Sequence, residues 1–226
     1  MFHPTQNVRG EVSEFYSGLD TQEMRTRPEL SSLFDTSEND EFHLLLGMTK
    51  QSVQLAADMI GFNPEKYSRK TVFEQRGKLD YITGMCGDEL TGYDFAENIK
   101  LWLRQNQNEE WSLAEVWLAG KGPGVGMATL FVSHIQAQPL EATLHNVPDD
   151  VYLWLDYITL RQCQDDFVPE RVSGVIQYLS KAHDGTRVVL DEPTLSYLTR
   201  SFCIFEVACT KPGKLCIDMS EDTSNM

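Results

Sequence analysis

Glu206 is the residue of this sequence best placed to do chemistry. It lies in the stretch YLTRSFCIFEVACT, where every residue from Phe202 to Cys209 except Glu206 is apolar or a thiol. On a helix its neighbours are Phe202, Cys203 and Cys209, at i−4, i−3 and i+3. A carboxylate among such residues is costly to bury without a partner. It must open into a cleft, pair with a cation such as Arg200 or Arg161, or be neutralised by a raised pKa. A partly desolvated glutamate in a cleft is a catalytic candidate. The plainer alternative is a glutamate that faces solvent or forms an ion pair.

Other groups are weaker candidates. Ser133, His134 and Asp156 have the residue types of a hydrolase triad. Adjacent residues of a strand point to opposite faces, which separates a serine nucleophile from its base, and no GxSxG elbow is present. The glycine-rich segment GKGPGVG, residues 120–126, has its lysine too early for a P-loop and no following Ser or Thr. It follows a helical pattern and opens a strand, the reverse of a Rossmann turn, and so reads as a hinge. The cysteines are Cys86, Cys163, Cys203, Cys209 and Cys216, without CxxC spacing. They read as reduced, mostly buried thiols. The five histidines do not cluster with them, so no metal site is expected.

The elements that must hold these groups follow from periodicity. Residues 127–133 (MATLFVS), 151–158 (VYLWLDYI), 186–190 (TRVVL) and 214–220 (KLCIDMS) are short apolar runs that read as buried strands. Between them lie a short helix or turn in PLEATLHNV, a well-marked helix over 168–185 with its stripe on Val172, Val175, Ile176 and Leu179, and a helix over about 196–210. Strands joined by such crossovers pair in parallel. Ligands of open parallel sheets bind beyond the carboxyl ends of the strands, here Ser133–His134, Asp156, Asp191–Glu192 and Asp218.

The remainder divides by pattern. Residues 1–40 are polar and read as a poorly ordered or loosely docked segment, with Leu30, Leu33 and Phe34 available to dock. Residues 41–119 read as helical: one helix capped by Thr49, a second with its stripe on Phe95, Ile99, Trp102 and Leu103, and a third with a Ser112–Glu115 capping box. Residues 120–126 are the hinge, 127–220 the α/β domain and 221–226 a tail. The net charge of −15 over 226 residues argues against binding to nucleic acid or to an anionic membrane. No run approaches the ~18 apolar residues of a membrane span, and the first residues carry no signal-peptide pattern. A soluble, cytoplasmic protein is expected.

The order ATLFVSHIQ, VYLWLDYITLRQ and LTRSFCIFEVAC resembles Toll/interleukin-1 receptor (TIR)-like domains, in particular a divergent algal and protist type. Those read approximately T-x-F-V-S-H-x-W, W-x-D-x-x-x-x-x-Q and R-S-W-C-x-x-E. The lead-in WSLAEVWLAGKGPGVGMA is similar too, so the resemblance covers about residues 111–216. It implies a flavodoxin-like parallel sheet of about four strands, self-association through the loop after the second strand and, in some members, cleavage of NAD+ as substrate with no separate cofactor. Glu206 then stands at the catalytic glutamate, binding ribose hydroxyls and stabilising positive charge as the bond to nicotinamide breaks. Ser133, His134, Asp156, Arg161, Gln162, Phe202 and Cys203 become the substrate-binding set. Phe202 and Gln136 replace family tryptophans, and a fifth strand is lacking. The resemblance therefore supports two functions, an NAD+ glycohydrolase or a non-catalytic interaction module that signals by assembly with itself or other TIR-like domains.

Overall fold

Six strands form one mixed sheet in the computed structural model, which describes residues 7–34, 41–62, 67–70, 89–190 and 196–218. They are β1 (Leu46–Met48), β2 (Val125–Met127), β3 (Leu130–Ser133), β4 (Leu153–Trp154), β5 (Gly185–Val189) and β6 (Leu215–Asp218), in the order β2-β1-β4-β3-β5-β6. The four segments expected as strands supply β4, β3, β5 and β6, which are adjacent and parallel. β1 and β2 extend the sheet antiparallel beyond β4. The chain is therefore α/β, with a larger and more mixed sheet than the sequence indicates.

Side-chain alternation places the layers. Leu130 and Val132 of β3 join Leu153 of β4 and Leu155 on one face, while Phe131 and Trp154 turn to the other and stack at 4.6 Å between ring centroids. The first face is covered by α1 (Val8–Ser17), α4 (Lys50–Met59), α5 (Gly92–Gln105), α6 (Leu113–Ala119) and α8 (Asp156–Thr159). The second is covered by α9 (Pro169–Ala182), joined by Leu30 and Leu33. Two short helices, α2 (Thr21–Arg25) and α3 (Ser31–Phe34), belong to the N-terminal segment, and α7 (Leu140–Leu144) follows β3. α10 (Ser201–Cys209) follows a 3-10 turn at Ser196–Thr199 and packs by Cys203 and Tyr197 on Ile135 and Val188.

Several expectations are corrected. The 151–158 strand shortens to two residues because Asp156 opens α8, accepting the Tyr157 N–H at 2.7 Å. Met127 belongs to β2 rather than to the strand of residues 127–133. The hinge is packed rather than free: the Pro123 carbonyl accepts from Ser52 Oγ at 2.6 Å and Trp117 Nε1 at 2.8 Å, and Val125–Met127 pairs with β1. The helical region 41–119 also contains β1 and shares a hydrophobic core with β3 and β4. Of the four described cysteines, all free, only Cys203 is buried and Cys216 is exposed. Cys86, Asp191, Glu192 and the tail lie outside the described residues. No helix among the described residues is long and apolar enough to cross a membrane.

The described part of the N-terminal segment, residues 7–34, is docked on the body of the protein. Leu30 and Leu33 are fully buried, and Glu29 receives Lys181 of α9 at 2.9 Å. Gly174 permits this approach, since a Cβ there would collide with the Glu29 carbonyl oxygen. Gly174→Ala is expected to cost about 1–3 kcal/mol. The same substitution should speed limited proteolysis between Ser17 and Glu41. Unchanged cleavage rates would show that the docking does not depend on that contact.

Candidate active site

The carboxyl ends of the parallel strands form one rim. The chain leaving β3 turns toward β4, whereas the chain leaving β5 turns toward β6. A crevice must open where the two connections diverge. A cavity of about 100 Å³ lies at this rim. His134 and Gln136 reach it from the end of β3, and Trp154 and Asp156 from β4. Arg200, Phe202, Cys203 and Glu206 close it from the start of α10. Ligand pockets for drug-sized molecules run to ~300–1,000 Å³. This cavity therefore encloses a single ring-sized group, with the rest of any larger ligand lying across the mouth.

Glu206 is 3% exposed, and among the described residues no cation lies within ion-pair distance of it. Its neighbour is Ser133, whose Oγ bonds its Oε2 and lies 2.5 Å from the Tyr197 hydroxyl. The Tyr197 hydroxyl in turn reaches the Cys203 carbonyl at 3.3 Å. Burial pushes the Glu206 carboxyl up to about 8; the Ser133 hydrogen bond opposes this, the Asp156 charge adds to it and the Arg200 charge also opposes it. The neutral acid completes a one-directional relay, with Glu206 donating to Ser133, Ser133 to Tyr197 and Tyr197 to the Cys203 carbonyl. Ionisation reverses the Ser133 hydroxyl, which then donates to the carboxylate. Tyr197, with a single proton, must then turn from the Cys203 carbonyl to Ser133.

His134 is buried, and burial lowers its pKa against the attraction of Asp156. Its Nδ1 donates to the Val132 carbonyl at 3.4 Å, which leaves Nε2 as a lone pair 3.6 Å from Asp156 Oδ1 and without a hydrogen-bond partner. Asp156 is held by Gln136 Nε2 at 2.5 Å and by the Tyr157 N–H. Burial, then the Glu206 charge, pushes the Cys203 thiol up to about 12, which excludes it as a thiolate nucleophile near neutral pH.

The structure divides the expected set. Ser133, His134, Asp156, Phe202 and Cys203 gather around Glu206. Arg161 and Gln162 do not line the cavity. Arg161 is drawn away into a two-bond pair with the fully buried Glu115, at 2.8 and 3.1 Å, and lies over the Trp111 ring. Gln162 donates to the Asp156 carbonyl at 2.8 Å and so braces the loop instead. The Ser133–His134–Asp156 triad is ruled out on geometry, since Ser133 engages Glu206 and Tyr197 rather than His134. Tyr197 was not legible as a site residue, because only the 3-10 turn brings it under α10. Arg200 and Gln136, noted in sequence as a pairing candidate and a departure, prove to be wall residues.

A second cluster joins Glu41, His43 and Asp166, the group among the described residues whose atoms lie close enough to share a metal. His43 Nε2 is 2.9 Å from Asp166, Glu41 pairs with Arg171 at 3.0 Å and Asp166 also accepts the Arg161 N–H. Glu41 is matched by Arg171, and Asp166 by His43 and the Arg161 N–H, so the cluster reads as a partly buried structural link.

No protein-family model, curated protein or solved structure matches the chain.

The raised carboxyl has a stability consequence. An acid whose folded pKa exceeds its unfolded value penalises folding progressively as pH rises from the unfolded pKa to the folded one. The penalty is absent below about 4.5 and complete above about 8. Glu206→Gln keeps the shape and removes the titration. Relative to wild type the variant should gain stability between pH 5 and pH 9, by on the order of 3–5 kcal/mol. Denaturant unfolding at both pH values measures this, and a constant difference would refute the buried titration.

Proposed function

We propose that the chain is a TIR-like protein that hydrolyses NAD+ at the nicotinamide–ribose bond through Glu206. The observation that carries this reading is a buried carboxyl group, with no cation within ion-pair distance among the described residues, lining a ring-sized cavity at the strand rim. Supporting it are the ordered motifs around Ser133, Asp156 and Glu206, and the parallel strand order β4-β3-β5-β6, which suits a flavodoxin-like arrangement.

In this mechanism the nicotinamide ribose enters the cavity against Glu206, and the adenosine half lies outside. The pyridinium charge draws Glu206 into its ionised form. The bond between the ribose C1′ and the ring nitrogen breaks with its electron pair moving to nitrogen, so nicotinamide leaves neutral. The carboxylate stabilises the oxocarbenium-like charge at C1′, receives ribose hydroxyl hydrogen bonds, and is held in place by Ser133. Water attacks C1′ and loses a proton to solvent, giving ADP-ribose. Cys203, being protonated, takes no covalent part.

Nicotinamide release from NAD+ is the direct test. Wild type should release it, and Glu206→Gln should lose at least about a hundredfold in kcat/KM. Because the ionised form is the active one, kcat/KM should rise with pH through about 8 and level off above it. Equal release by wild type and Glu206→Gln would eliminate the enzyme reading.

A second reading, the non-catalytic assembly module, is favoured by one feature. Leu198, Ile204 and Ile217 are more than half exposed on α10, its leading turn and the edge strand β6. Exposed apolar side chains are candidate association points where they form a contiguous patch. Light scattering over a concentration series should show self-association that Ile204→Asp weakens. A strict monomer at every concentration would exclude assembly of this chain with itself.

A further inference from the structure

Arg200 stands at the N-cap of α10 and gives that helix no side-chain cap. Among the described residues its side chain donates one hydrogen bond, from Nη1 to the Tyr93 hydroxyl at 3.1 Å, which holds it at the cavity. A guanidinium has five N–H donors, so Arg200, which lines the cavity, keeps donors beyond the one given to Tyr93, with the Asp156 charge nearby. The N–H groups of Ser201 and Phe202 likewise have no acceptor among the described residues, as expected at an uncapped helix start. A positive dipole end and a fixed guanidinium together favour an anion, and the planar fork suits two oxygens of a phosphate.

A second feature points to the same ligand independently. His134 Nε2 lines the cavity wall with Asp156, is buried, and has no hydrogen-bond partner. With Nδ1 donating to Val132, this nitrogen is an acceptor and requires a donor, such as a sugar hydroxyl. Asp156 opposes anion binding nearby, but Gln136 and the Tyr157 N–H already hold its oxygens. The cleft is therefore polarised along α10. Its Glu206 end suits a cationic ring and its Arg200 end an anion, six residues or roughly 9 Å of helix rise apart.

We propose that Arg200, the open start of α10 and His134 Nε2 form a ribosyl-phosphate subsite, so that the cleft selects phosphorylated nicotinamide nucleotides over the unphosphorylated nucleoside. Arg200 takes the phosphate nearest the nicotinamide ribose and His134 Nε2 accepts from a hydroxyl of that ribose. Arg200 is then the specificity-determining residue. The inference rests on reading the cleft as a nicotinamide-nucleotide site, and it concerns binding rather than turnover.

Nicotinamide mononucleotide and nicotinamide riboside differ only in that phosphate, and calorimetry can compare them on the full chain carrying Glu206→Gln, so that neither is consumed. The mononucleotide should bind at least about tenfold more tightly, and added salt should narrow the gap. Adding Arg200→Gln should remove most of the difference between the two ligands, chiefly by weakening the mononucleotide. Arg200→Lys, which keeps the charge without the fork, should fall between. His134→Phe should weaken both ligands alike. Equal affinities before any change at Arg200, or no binding of either compound, overturns the subsite even if nicotinamide release from NAD+ is observed. A retained mononucleotide preference without nicotinamide release keeps the subsite and removes the hydrolase reading.

Discussion

The arrangement depends on the complete burial of β3. Leu130, Phe131 and Val132 send apolar side chains into the cores on both faces, so the strand is buried along its length. Ser133 is fully buried as well, and its hydroxyl must find a partner inside the protein. The partner is Glu206, brought over the strand end by α10 and backed by Tyr197. One unavoidable hydroxyl on the central strand thus dictates where the helix places its only polar side chain between Phe202 and Cys209. The carboxyl is desolvated because the strand beneath it is dry.

The N-terminal half is part of that constraint. The Trp154 indole donates to the Leu44 carbonyl at 2.8 Å, and Thr159 donates to the Leu46 carbonyl at 3.1 Å. Glu115 completes the capping box of α6 and also holds Arg161. Breaking a buried pair of this kind is more costly than never having formed it. These three links join β4 and its loop to the preceding helices. The segment before residue 120 is thereby a wall of the same body, and the rim inherits its position from it.

Much of the frame was legible in sequence. The capping box at Ser112 and Glu115, the stripe of α9 and the four parallel strands all have strong local patterns. β1 was missed because Leu46–Met48 continues an apolar run whose first half, Phe42–Leu45, is a 3-10 turn, and three residues carry no periodicity. The strand expected over 151–158 was too long because Asp156 looks like a strand-end residue while acting as a helix opener. Glu206 was identifiable because a single charge in an apolar helix is conspicuous. Arg161 misled because proximity in sequence to Asp156 does not reveal a stronger claim from Glu115, forty-six residues earlier. Tyr197 had no local signal, since its role exists only after α10 is folded over Ser133.

Trp154 carries a practical consequence. Trp154 is one of the cavity-lining residues, and its indole is locked by the Phe131 stack and the Leu44 carbonyl and is 1% exposed. A rigid, dry indole fluoresces toward the blue, and an electron-poor aromatic ring settling beside it would quench that emission by accepting charge. The protein thus carries an intrinsic optical reporter bordering its own cleft, one among its four tryptophans.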